Sequence, residues 1–190
     1  MPLLEAQGVD SANLDRGAAL YHETIQLIEQ QKKKYQKQNL AYDRFNIEKE
    51  KAKASFKRTL KLVKVLAGND SDLQDRLNLY SGPVFAIEPW IDHSISFYNR
   101  LLNEVDLLTK LEQFKINTDR IKAEQKAIKN LRRLRDEAIA AKEKAQEAKW
   151  IKNKKLDELE QYSKVLKIVA KIALEKQSQL LEKLGLLVRS

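Results

Sequence analysis

Cysteine is absent from the 190 residues. The chain therefore builds no disulfide and no thiolate nucleophile or metal ligand, which fits a reducing compartment and makes a cytoplasmic location the expectation. Proline and glycine are scarce, with 3 and 5 copies, and aromatic residues make up 7%. Between Asn117 and Leu187 there is no proline, and the first glycine is Gly185. No stretch approaches the roughly 20 apolar residues of a membrane span. Met1-Pro2-Leu3-Leu4-Glu5 has neither a basic nor an apolar leader region, so no signal peptide is expected. Catalytic signatures are missing too: no H-E-x-x-H, C-x-x-C, P-loop, G-x-G-x-x-G or E-x-x-H occurs. His22 and His93 are isolated in sequence, and no carboxylate pair lies in an apolar context that would split its pKa values. The expectation is no catalytic site, cofactor, metal site or small-molecule substrate. An enzyme whose site gathers distant residues ranks last among the readings.

What is present is hydrophobic content of 43% against 33% charged residues, rich in Ala, Glu, Lys, Leu and Arg. That is the composition of long helices and coiled coils. Leu131, Leu134, Ala138, Ala141, Ala145 and Ala148 follow one seven-residue repeat, continued by Leu159, Tyr162, Leu166, Val169, Ala173, Leu180 and Leu187. Steps of three and four put these on one helix face. One uninterrupted helix over 117–187 would be on the order of 100 Å long and would have to pair along its length. A second repeat runs through Tyr21, Ile28, Tyr35, Tyr42, Phe45, Ala52, Phe56, Val63 and Leu66, with Gln31, Gln38, Lys49 and Thr59 also on the seam.

The spacing predicts a loose arm over 1–10, a stalk helix over 11–67 capped by Ser11 or Asn13, a helical head over 68–116, and a long helix over 117–187 capped by Asn117. Within the head, Ser71-Asp72-Leu73-Gln74 reads as a capping box, Ser81-Gly82-Pro83 as a turn, and Pro89 as the first turn of a helix reaching about Phe114. The expected fold is all-α: a long antiparallel helical hairpin, a coiled-coil-like stalk with a small helical head. The alternative is a compact four-helix bundle, in which the chain reverses between Ala148 and Leu159, where Lys152 and Lys155 occupy the seam. If the head joins the helices compactly, Leu66 lies near Arg120. Tyr42 and Phe45 then face Ala141 and Ala145, Tyr35 lies by Trp150 and Ile151, and Ile28 and Tyr21 lie by Leu159 and Leu166.

A weak internal echo pairs Phe56, Leu60, Val63 and Leu66-Ala67 with Tyr162, Leu166, Val169 and Ile172-Ala173. It continues as Leu73 to Leu79 against Leu180 to Leu186, with a shorter version over Leu107 to Phe114. The ending Gln179-Leu180-Leu181-Glu182-Lys183-Leu184-Gly185-Leu186-Leu187-Val188-Arg189-Ser190 resembles an uncharacterised family of small all-helical bacterial proteins. Leu77-Asn78-Leu79, Trp90-Ile91, Phe97-Tyr98 and Leu111-(x2)-Phe114-Lys115-Ile116 share that resemblance. It implies a helical fold and no known activity. Lys115 stands where the family pattern has glycine, against a tight turn there.

The expected function is that of a non-enzymatic structural or interaction protein, a helical adaptor that self-associates. Its candidate oligomer contacts are Val165, Ile168, Val169, Ile172, Leu180 and Leu184, beside or on the seam of the C-terminal half. The formal charge of +9 supports an alternative. Lys32, Lys33, Lys34 and Lys37 cluster on the first helix, and Lys149, Lys152, Lys154 and Lys155 on the second. The expected register sets residue 33 against 153 and merges both clusters into one belt for a polyanion, whether nucleic acid or an anionic membrane surface. Splayed, screened lysines on a solvated face are the other outcome.

Overall fold

The computed structural model describes residues 2–82 and 84–186. Pro83 of the expected turn and Leu187 of the expected seam lie outside them. The chain is all-helical, with no strand among the described residues. The helices are α1 (Pro2–Glu5), α2 (Ser11–Ala67), α3 (Ser71–Leu77), α4 (Ile87–Leu101), α5 (Val105–Glu112), α6 (Thr118–Ala173) and α7 (Ser178–Lys183). The two long ones have 57 and 56 residues. Helix α6 passes through Lys152 and Lys155 without a break, so the reversal that a compact bundle needs does not occur.

Several expected boundaries move. Helix α2 is capped by Asp10, whose Oδ1 accepts from the Asn13 backbone N–H at 2.9 Å, rather than by Ser11 or Asn13. Asp70 does the same for α3 through Leu73, and Asn117 for α6 through Arg120, the latter as the sequence indicates. The head helix ends at Leu101 instead of Phe114, and the long helix at Ala173 instead of Leu187. Periodicity misses the second break because the seven-residue step from Ala173 to Leu180 runs straight across it, with no glycine or proline between. The expected loose arm instead holds α1, with Val9 buried.

Contacts divide the chain into two compact units. The central unit is Lys37–Ala141; the terminal unit joins Met1–Gln36 to Lys142–Ser190. In both, α2 and α6 run antiparallel. The main hydrophobic cluster belongs entirely to the central unit. There α4 lays Trp90, Ile91, Phe97, Tyr98 and Leu101 onto the paired long helices. Phe56 meets Trp90, Phe97 and Tyr98 edge-to-face at centroid distances of 5.8, 5.4 and 5.8 Å, a geometry that adds to the burial of large rings. The Ser94 hydroxyl is buried there without a hydrogen-bond partner.

One backbone pattern occurs twice, at a constant shift of 107 residues, as from Gly8 to Lys115. Gly8 N–H donates to Glu5 O and Lys115 N–H to Glu112 O, each at 2.9 Å. Val9 to Leu4 is matched by Ile116 to Leu111, and Leu14 to Asp10 by Ile121 to Asn117. At the far ends, Asp70 to Ala67 is matched by Gln177 to Leu174, and Leu79 to Gln74 by Leu186 to Leu181. Each copy is thus a short helix, a left-handed closing residue, a capped long helix and a second short helix. Lys115, at φ 60°, takes the left-handed conformation that Gly8 takes at 79°, so the tight turn forms without the glycine. The echo in the sequence, Phe56 with Tyr162, is one residue off: the counterpart of Phe56 is Ser163. Helix α4 lies between the two copies and has no counterpart among the described residues.

Candidate functional site

The heptad seam of α6 is observed as expected, with Leu131, Leu134, Ala138 and Ala145 buried and Leu159, Tyr162 and Leu166 half-buried. That of α2 is not. From Gln31 onward it holds, but toward the N-terminus Leu20 and Thr24 are buried and Leu27 is half-buried, while Tyr21 is 53% and Ile28 42% exposed. A straight helix drifts by about 20° per heptad from an exact seven-residue repeat. Two steps of four, Leu27 to Gln31 to Tyr35, absorb that drift and rotate Tyr21 and Ile28 off the seam. Thr24 occupies the inside because its hydroxyl donates to Leu20 O at 2.7 Å, leaving no orphaned polar group.

Register also departs from expectation. Gly17 sits against Tyr162 and Leu166, where Tyr21 was expected by Leu166. A Cβ at Gly17 would lie 3.1 Å from the Tyr162 ring. The Tyr162 hydroxyl donates to Asn13 O at 2.6 Å, and Arg16 stacks over its ring. Ile151 shares a groove with Leu27 and Gln30 instead of meeting Tyr35. The displacement is roughly one to two helical turns. A seven-residue pattern looks nearly the same after such a slip, so spacing alone does not select the register.

The slip separates the two lysine clusters. Lys34 faces Lys144 and Glu147, not residues 152–155. Lys155 is half-buried and paired, with Glu158 at 2.8 Å and Glu23 at 3.1 Å; these partners raise its pKa, Glu158 more than Glu23. Lys154 lies over the Trp150 ring. Lys32, Lys33 and Lys149 are exposed, Lys152 is half-buried, and Lys37 belongs to the central unit. The expected single belt is therefore not formed: a carboxylate meets Lys155, and the terminal-unit clusters face different segments.

The candidate oligomer contacts split between two helices. Val165, Ile168 and Ile172 stand on α6, exposed by 59, 51 and 59%, with Val169 half-buried beside them. Leu180 and Leu184, at the shorter α7, are exposed on a separate element. A second apolar surface, which the sequence did not single out, is a groove of about 190 Å³ lined by Leu4, Val9, Leu14, Leu166, Ala170 and Leu184 among others.

The central unit holds the densest polar chemistry. Glu124 Oε2 accepts from Thr59 Oγ1 and from the Tyr98 hydroxyl, each at 2.8 Å, and Glu124 Oε1 accepts from Arg120 Nε at 3.1 Å. Burial, and then the neighbouring carboxylate, push the Tyr98 phenol well above its usual range. With each of these groups partnered, the network ties α2, α4 and α6 together instead of presenting a free acid or base. His93 is half-buried against Phe56, its pKa lowered first by burial and then by Arg100. No group of three or more metal-ligating side chains occurs among the described residues. No described helix is long and apolar enough to cross a membrane. No family model, curated protein or solved structure matches the chain.

Proposed function

We propose that this protein is a non-enzymatic helical scaffold that acts through protein–protein contact in the cytoplasm and self-associates through the terminal unit. The observation that carries this is the run of Val165, Ile168 and Ile172 on one side of α6, each more than half exposed. Three such side chains at steps of three and four form a continuous apolar stripe, and its cover by a second copy removes that stripe from water. Val169 extends the stripe on α6, and Leu180 and Leu184 add apolar surface at α7. The lysine clusters supply no comparable surface, because Lys155 is already paired and the expected belt does not assemble. Sedimentation velocity from one to about 100 micromolar tests the reading, a span covering ordinary homodimer affinities. A concentration-dependent dimer that Ile172→Glu dissociates is the expected result. A monomer throughout would sink it.

A further inference from the structure

The two copies of the backbone pattern allow one face of the terminal unit to be compared, residue by residue, with a face whose cover is known. In the central unit α4 lies antiparallel to α6. Its Asn99 meets Gln125, its Asp92 meets Arg132, and its Glu88 meets both Arg132 and Arg135. It also crosses α2, where Trp90 packs on Phe56 and under Lys53. Beneath it Ile128, Thr59 and Val63 are fully buried.

Shifting by the same 107 residues (Gly8 to Lys115) carries this footprint onto the terminal unit. Ile128 becomes Tyr21, Arg132 becomes Ile25, and Arg135 becomes Ile28, exposed by 53, 40 and 42%. Thr59 and Val63 become Leu166 and Ala170, which line the open groove. Ile121, Leu77 and Leu111, buried in the central unit, become Leu14, Leu184 and Leu4 on the walls of the same groove. The surface that α4 closes in one unit is thus present and apolar in the other, where the described residues leave it open. It faces away from the α6 part of the self-association surface, since Val165, Ile168 and Ile172 correspond to Arg58, Lys61 and Val65, all exposed and on the other side of the helix; Leu184 at α7 is shared by both surfaces.

We infer that this groove binds an amphipathic helix of another protein, of about the four turns of α4 and seated as α4 is. Its chemistry is set by where the two footprints differ. Ile25 and Ile28 replace the arginines that meet Glu88 and Asp92, so the bound helix is apolar there, since carboxylates at that place would be desolvated without a partner. Ser163 replaces Phe56, leaving room for a large aromatic side chain. Lys167 replaces Leu60 on the groove wall, so an acidic residue belongs at that edge.

The test uses the full chain and two fluorescein-labelled peptides covering residues 86–103, one unmodified and one carrying Glu88→Leu and Asp92→Leu, read by anisotropy. The modified peptide should bind saturably in the micromolar range and the unmodified one about tenfold more weakly. Ile25→Glu or Ile28→Glu, both at exposed positions, should weaken the modified peptide at least tenfold with unchanged helix content, while Ile172→Glu leaves its binding intact. Failure of both peptides to saturate by about 1 millimolar overturns the inference. So does binding that ignores Ile25→Glu, or a wild-type dimer that Ile25→Glu dissociates, since a second copy would then be the cover.

Discussion

At Thr59 in the central unit and its counterpart Leu166 in the terminal unit, one backbone position serves two kinds of surface. Thr59 is fully buried, bonded to a carboxylate that also holds a tyrosine from α4. Leu166 lines a groove and packs against Gly17, the counterpart of Glu124. The central unit uses a third helix to bury its frame and polar bonds to fix that helix. The terminal unit has the same frame, no counterpart of α4 among the described residues, and glycine and leucine where those bonds would be. Burial in a helix pair is therefore a property of what lies on top, since near-identical positions on the long helices end up buried or exposed.

Substitutions at matched positions probe this contrast, the largest effect coming from the most deeply covered site. Ile128→Ala should cost about 2–5 kcal/mol in chemical denaturation, whereas Tyr21→Ala at the matching position should stay within about 0.5 kcal/mol. Equal losses at both would mean that the two faces are covered alike. Next, Tyr98→Phe removes one donor to Glu124 and should cost about 1–2 kcal/mol; no change would mean that the network does not hold α4 in place. Ser94→Ala removes a buried hydroxyl that has no partner and should stabilise the central unit by roughly 1 kcal/mol. Lys115→Gly relieves the left-handed backbone that Gly8 already accommodates, with a gain of about 1 kcal/mol; the reverse change, Gly8→Lys, should lose about as much.

The smallest effect separates the units by pH. Asp10 and Asn117 cap the two long helices at matching positions, but only Asp10 titrates. Its hydrogen bonds from Asn13 lower its pKa below the usual carboxylate value. A depressed carboxyl stabilises above its unfolded pKa and loses that contribution as pH falls through the folded one. Amide exchange at the start of α2 should therefore accelerate below about pH 4, while the start of α6 stays protected. Parallel acceleration at both ends would remove Asp10 as the cause.

Much of the fold was legible because its signals are local. The repeat through Leu131, Leu134 and Ala138 marks α6, Asn117 marks its start, and Gly68 the end of α2. The breaks at Leu102 and Leu174 were not legible, since neither carries a glycine or proline. Register was not legible either, because a heptad pattern is nearly blind to a slip of one or two turns, and that error produced the expected lysine belt. The exposed stripe of Val165, Ile168 and Ile172 was visible as apolar residues off the seam. The groove was not, since Leu14, Leu166 and Leu184 come together only through tertiary contact. Lys115 shows the limit of residue preference: the hydrogen bonds around it impose the turn on a lysine.

The make-up of the two units also orders events in time. The central unit is one unbroken segment, so its helices meet through short connections. The terminal unit needs its N-terminal segment to meet residues that come after the entire central unit, a closure with a larger entropic toll. Folding should therefore begin centrally and propagate outward along the long helices, with α1 and α7 docking last. On a ribosome, the first thirty-six residues would wait for partners not yet made, their apolar face exposed to whatever helix is near.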